Sequence, residues 1–238
     1  MSTRSIELEG AHNARDLGGL PAPDGRTTVR GRLVRAEFTD LIAPADVDAL
    51  VHRIGLRTVV DIRRPAEARY ESVPWADHGI RWHNFPFGLG KGAAVAVGGA
   101  DFAAVYLGYL DTDPVTVIGA VETLLDPDNH PAMFHCAAGK DRTGVLSALL
   151  LDVLDVPHDA IAEDYAMSAA GIGPILARLA AQPPYERMLT GYTVEEHLPD
   201  PNVMLDFLTR LGGASAWLTR HGVPGDRLER FRTAMLTA

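Results

Sequence analysis

A single cysteine, Cys136, is followed six positions later by Arg142, in the run His135-Cys136-Ala137-Ala138-Gly139-Lys140-Asp141-Arg142-Thr143-Gly144. This spacing fits a thiol nucleophile in a loop that wraps a phosphate. Ala132-Met133-Phe134 reads as the end of a buried strand and Thr143 to Leu154 as an apolar helix, so the loop falls at a helix N-terminus. Unpaired N–H groups and about half a unit of positive charge at such an end favour a phosphoryl group and a thiolate. A free thiol titrates near about 8.5 and such surroundings lower that value, so Cys136 is the expected nucleophile. Arg142 carries a planar fork that can take two phosphoryl oxygens at once, and it closes the loop that Cys136 opens. Ala137, Ala138, Gly139 and Lys140 supply the N–H groups that would face the substrate, with Gly139 as the expected turning point. Thr143 is expected to place its hydroxyl near the sulfur, and His135 to orient the loop from a buried strand.

The same ten residues resemble the bacterial tyrosine-phosphatase family that carries the signature His-Cys-x-x-Gly-Lys-Asp-Arg-Thr-Gly, a group of cysteine-dependent Cys-x5-Arg phosphatases. Asn13-Ala14-Arg15-Asp16-Leu17-Gly18-Gly19 resembles that family's N-terminal element. Thr58-Val59-Val60-Asp61-Ile62-Arg63-Arg64 with Glu67 is similar to its strand ending in Asp-Leu-Arg, and Gly-Val-Pro around Val223 to its C-terminal pattern. The resemblance covers most of the chain. It implies the cysteine-phosphatase fold, a phosphocysteine intermediate, no metal, and a phosphorylated substrate: a phosphoprotein, a phosphoinositide or a small phosphomonoester. Ala14 stands where the family often has an aromatic residue and Ser168 where a threonine is common.

Breaking a phosphate ester also needs a proton for the departing oxygen. The resemblance favours Asp141 as its donor. Asp101, beside a glycine-rich stretch, and Asp61, at a strand end, are the alternatives. Arg63 is expected to pair with Glu67 beneath the loop, and Arg15 and Asp16 to brace the same region. Lys140 adds charge that suits multiply phosphorylated lipids. The competing readings are a buried structural thiol, a rhodanese-type sulfurtransferase, a phosphatase of a small phosphorylated metabolite or nucleotide, and an inactive phosphate-binding module. The Arg142-Thr143-Gly144 ending and the N-terminal element argue against the sulfurtransferase.

The elements that must position these residues read as α/β. The 238 residues are 47% hydrophobic, enough for one sizeable core, and one domain over 1–238 is expected. One cysteine excludes an intrachain disulfide framework and suits a reducing, cytoplasmic setting. No signal-peptide-like stretch or membrane span is read. The net charge of -9 disfavours nonspecific nucleic-acid binding. The nine histidines form no ligand pattern, so neither metal nor cofactor is expected.

Arg32 to Ala36, Thr58 to Ile62 and Ile80 to Phe85 read as strands. Val47, Leu50, Val51 and Ile54 follow helical spacing up to Gly55, and Phe102 to Leu110 and Val115 to Leu125 read as helices before the loop strand. After Pro157 the pattern is all helical: Ile161 to Met167, Ile175 to Ala180, Val203 to Leu211, Ala214 to His221 and Arg227 to Leu236. The expected architecture is a central, mostly parallel sheet flanked by helices, with an all-helical C-terminal half. Gly88 to Gly99 reads as a flexible loop near the pocket. Gly171 to Tyr192 resembles the place where relatives carry helices over the site, with Tyr185 and Tyr192 as lining candidates.

Overall fold

Three of the five strands are buried along their whole length, and all five form one sheet. The computed structural model describes residues 4–38, 42–88, 101–191 and 193–238. The strands are β1 (Arg15–Asp16), β2 (Leu33–Ala36), β3 (Thr58–Asp61), β4 (Arg81–Asn84) and β5 (Ala132–His135), in the order β1-β2-β5-β3-β4. β1 is antiparallel to β2; the other pairings are parallel. Ala36, His135 and Asp61 stand in register, so β2, β5 and β3 end together. In open parallel sheets, ligands bind outside such carboxyl ends.

The helices are α1 (Pro44–Asp48), α2 (Pro65–Ala68), α3 (Phe102–Thr112), α4 (Pro114–Leu125), α5 (Asp141–Val153), α6 (His158–Ala166), α7 (Ala169–Ala180), α8 (Pro183–Leu189), α9 (Pro201–Leu211), α10 (Ala214–Arg220) and α11 (Gly225–Met235). Alternate strand residues serve opposite faces. Leu33, Val60, Ala132 and Phe134 join the large core with α3 to α6 and α9 to α11. Val34, Val59 and Met133 join a smaller core with Leu50, Trp75 and Ile80. α5 is buried from Thr143 through Leu151, as its almost unbroken apolar sequence requires. Each fully buried leucine there contributes roughly 1.5–3 kcal/mol.

Several elements differ from the sequence expectation. The segment around Leu50 begins as α1 but continues as a π-helical stretch, Ala49–Ile54, before Gly55 ends it in a left-handed conformation (φ 74). β1 is two residues long, too short to show alternation. α8 is not among them: it falls in the Gly171 to Tyr192 stretch where the resemblance implies helices, and the Pro183-Pro184 pair opens it, in a first turn where no N–H is required. The expected loop at 88–99 lies outside the described residues beyond Gly88.

Candidate active site

The loop after β5 is shaped by what happens to its carbonyl groups. Phe38 N–H donates to the Ala137 carbonyl at 3.0 Å, and the Asn13 side-chain amide to that of Ala138 at 3.0 Å. Arg35 donates to the Gly139 carbonyl at 2.8 Å, and Gly144 N–H to that of Lys140 at 2.7 Å. Four successive carbonyls are therefore tied to the surrounding scaffold. Each planar trans peptide sets the next N–H opposite its carbonyl, so the N–H groups of Ala138 through Asp141 turn toward the loop's interior. Those of Ala138, Gly139 and Lys140 have no hydrogen-bond acceptor among the described residues. Gly139 makes the turn possible. It sits at φ +65, and a Cβ there would meet the Ala36 carbonyl oxygen and the Glu37 nitrogen, both at 2.6 Å.

Cys136 leads this loop and is 3% exposed. Arg142, in the first turn of α5, donates Nη1 and Nη2 to the two carboxylate oxygens of Glu67 at 3.0 and 2.9 Å. Burial pushes the Glu67 carboxyl up, but the Arg142 charge and hydrogen bonds from Arg142 and Arg64 outweigh it. The net effect holds Glu67 below the usual carboxylate range. Two of the five guanidinium N–H donors are thereby fixed and three remain. The expected partner for Glu67 was Arg63. Instead Arg63 is wholly buried, forks onto Asp61 at 2.9 and 2.7 Å, and reaches Glu71 at 3.0 Å. The reason is local. Asp61 ends β3 two residues before Arg63, whereas Glu67 is turned by the short α2 toward Arg64 and Arg142. Asp61, Glu71 and His135 bring ligand atoms within 4.8 Å of one another, but the Arg63 guanidinium already supplies the positive charge there.

The three candidate acids are placed differently. Asp141 opens α5 with its side chain one-third exposed; its Oδ1 accepts from the Tyr106 hydroxyl at 2.5 Å and lies 3.5 Å from Lys140 Nζ. The Tyr106 hydroxyl also lies 2.7 Å from that of Tyr165. Burial, reinforced by the Asp141 charge, pushes Tyr106 well above the ordinary phenol range. Asp101 caps α3 through Ala104 N–H at 3.0 Å and is ion-paired at the surface with Arg210 at 2.6 Å. Asp61 is sealed beneath the loop by Arg63.

The remaining loop residues have mixed surroundings. Lys140 is 5% exposed and donates Nζ to the His197 carbonyl at 2.8 Å. Thr143 Oγ1 is buried without a hydrogen-bond partner. His135 is fully buried, and burial lowers its pKa. Over the loop, Tyr185 of α8 packs with Ala137, Ile175 and Leu179, against the partly buried Ala138. Tyr192 lies outside the described residues. Gly88 approaches from the other side; a Cβ on it would meet Arg142 Cδ at 2.8 Å. Asp16, an expected brace, instead accepts from Gly18 and Gly31 N–H groups in the N-terminal turn.

The sequence reading did not pick out Arg35, Tyr106 or Asp164, it gave Asn13 no task of its own, and it gave Glu67 another partner. Asn13 and Arg15 carried a visible signal in the N-terminal element. Arg35 carried only its place in a strand, where an arginine must find partners.

The pattern of the whole chain agrees with this geometry, since residues 6–237 match the tyrosine phosphatase family. The chain belongs to that family. It is 35% identical over 162 residues to a Cupriavidus necator protein named as a tyrosine-protein phosphatase, a match covering 64% of this chain and 59% of that protein. The chain thus matches less than two thirds of that relative's length. It is 28% identical over 207 residues to the triple specificity protein phosphatase PtpB of Mycobacterium tuberculosis, covering 73% of this chain and 72% of that one. Among solved structures, the core catalytic domain of the PP-IP phosphatase SIW14 from S. cerevisiae aligns with a TM-score of 0.43 at 15% identity. That alignment covers 80% of this chain and 92% of that one. Among the described residues of this family member, no helix is long and apolar enough to cross a membrane.

Proposed function

We propose that the chain is a cysteine-dependent phosphomonoester hydrolase acting through a phosphocysteine. The observation that carries this reading is the outward anchoring of four consecutive carbonyls beside Cys136, which leaves a fan of N–H groups at the N-terminus of α5. Such a fan stabilises phosphoryl oxygens without reorganisation during the reaction. The Thr143 hydroxyl adds a buried donor lacking an acceptor.

In this mechanism the Cys136 thiolate attacks phosphorus in line while the ester oxygen departs. Arg142, held in plane by Glu67, and the loop N–H groups bind the equatorial oxygens. Asp141 protonates the departing oxygen. Its Oδ1 accepts from Tyr106, so Oδ2 is the atom that carries the proton. Asp141 then takes a proton from the water that attacks phosphocysteine, which releases phosphate and regenerates the thiolate.

The relatives' names support protein phosphotyrosine as the first substrate class; dual-specificity or phosphoinositide activity is proposed beside it. The Lys140 ammonium already donates to the His197 carbonyl, so a second substrate phosphate would have to bind beside that carbonyl, on the donors left over. A reducing, cytoplasmic setting suits a lone thiol nucleophile.

The test is Cys136→Ser assayed against a panel of phosphomonoesters with and without a chelator. Turnover is expected to vanish in the variant, to persist with chelator in the native protein, and to be inhibited by orthovanadate. Native rates in Cys136→Ser would overturn the mechanism.

A further inference from the structure

We propose that Asp164, on α6, is a positioning residue that sets the orientation of the phosphate-binding loop through two arginine bridges. The inference rests on the phosphatase reading but concerns a residue that does not touch the substrate.

Asp164 is fully buried, and three guanidinium groups converge on it: Arg4 at 2.5 Å, Arg15 at 3.1 Å and Arg35 at 2.6 Å. Two of the three lead onward to the loop. Arg35 binds Asp164 Oδ2 with Nη1 and the Gly139 carbonyl with Nη2 at 2.8 Å, with the Lys140 carbonyl at 3.5 Å. The guanidinium is rigid and planar, so fixing one end aims the other.

The second bridge has one more member. Arg15 binds Asp164 Oδ1 through Nε and the Asp164 backbone carbonyl through Nη2 at 2.6 Å, and it donates Nη1 to the Asn13 side-chain carbonyl. That contact requires the Asn13 amide nitrogen to point the other way, where it donates to the Ala138 carbonyl at 3.0 Å. One carboxylate therefore holds two neighbouring carbonyls of the loop, 138 and 139, turned away from the substrate side.

Asp164 also makes the arrangement electrostatically possible. Burial and the neighbouring Arg35 charge lower the pKa of Arg15 to about 10 even with the carboxylate in place. Without that charge Arg15 and Arg35 repel each other, and neither has a reason to keep its aim. Both carbonyls are then free to turn inward, where they would repel an anion.

The experiment measures inorganic phosphate binding by calorimetry in a Cys136→Ser background, so that binding is read separately from turnover. Asp164→Asn and Arg35→Lys are each expected to weaken phosphate binding at least tenfold, and Asn13→Ala severalfold. In the Cys136-intact protein, kcat for an aryl phosphate should fall more than KM rises. Leu228→Ala, a buried change on α11 away from the loop, supplies a destabilised control with native phosphate affinity. Phosphate affinity within twofold of native in Asp164→Asn overturns the proposal. If Asp164→Asn does not fold, unchanged affinity in both Arg35→Lys and Asn13→Ala overturns it equally. A native protein that binds phosphate but hydrolyses no ester overturns the phosphatase reading alone.

Discussion

Tyr106 ties down one oxygen of Asp141, and that single hydrogen bond distinguishes the loop-borne acid from its two rivals, which are held by arginines. A general acid matters most when the leaving group is poor. Asp141→Asn is therefore expected to slow hydrolysis of phosphotyrosine or an alkyl phosphate by about 10²–10⁴-fold, and p-nitrophenyl phosphate far less. Steady-state kinetics on the three esters check this. Equal losses on all of them would remove Asp141 from the role, and the same selectivity in Asp101→Asn would transfer it. Cys136 and Arg142 could be put together from the sequence because they lie within ten contiguous residues. The partner of Arg142 could not, because pairing among Asp61, Arg63, Arg64, Glu67 and Glu71 depends on how α2 turns, and charge types alone allow several solutions.

At the level of elements, the turn from β5 into α5 depends on a residue without a side chain. Gly139→Ala places a methyl group against the backbone of β2's exit at 2.6 Å and forces φ +65 on an L-residue. The strain alone is expected to cost about 1–3 kcal/mol, and the displaced loop is expected to lose most activity. Thermal melting and kcat measured together would check both; native kcat in Gly139→Ala would show that the loop tolerates another path. The principal strands and helices were legible from periodicity and from stops such as Gly55. β1 and the π-helical stretch are the exceptions; β1 is set by pairing with β2, a tertiary contact that no local pattern encodes.

For the whole molecule, burial of charge makes stability depend on pH. Burial pushes both Glu67 and Asp164 up, but Arg142 and Arg64 for the first and Arg15, Arg35 and Arg4 for the second bring them below the usual range. Their contribution to stability is complete above the unfolded values, about 4.3 and 3.9. It is lost as pH falls through those values toward the folded ones, because the unfolded chain then takes up protons that the native state refuses. Denaturant midpoints measured from neutral pH downward should fall steeply below about pH 4. Glu67→Gln should start lower at neutral pH and descend less steeply; an unchanged slope would show that the Glu67 pairing is not coupled to folding. The strand order has a separate consequence for synthesis. β5 lies between β2 and β3 but follows both in the chain, so as the polypeptide leaves the ribosome the earlier strands wait with two facing edges unpaired. Cys136, the proposed nucleophile, follows directly on the strand that closes this gap. Its chemistry is thus withheld until the sheet is complete, and the waiting edges are the period of greatest aggregation risk for the nascent chain.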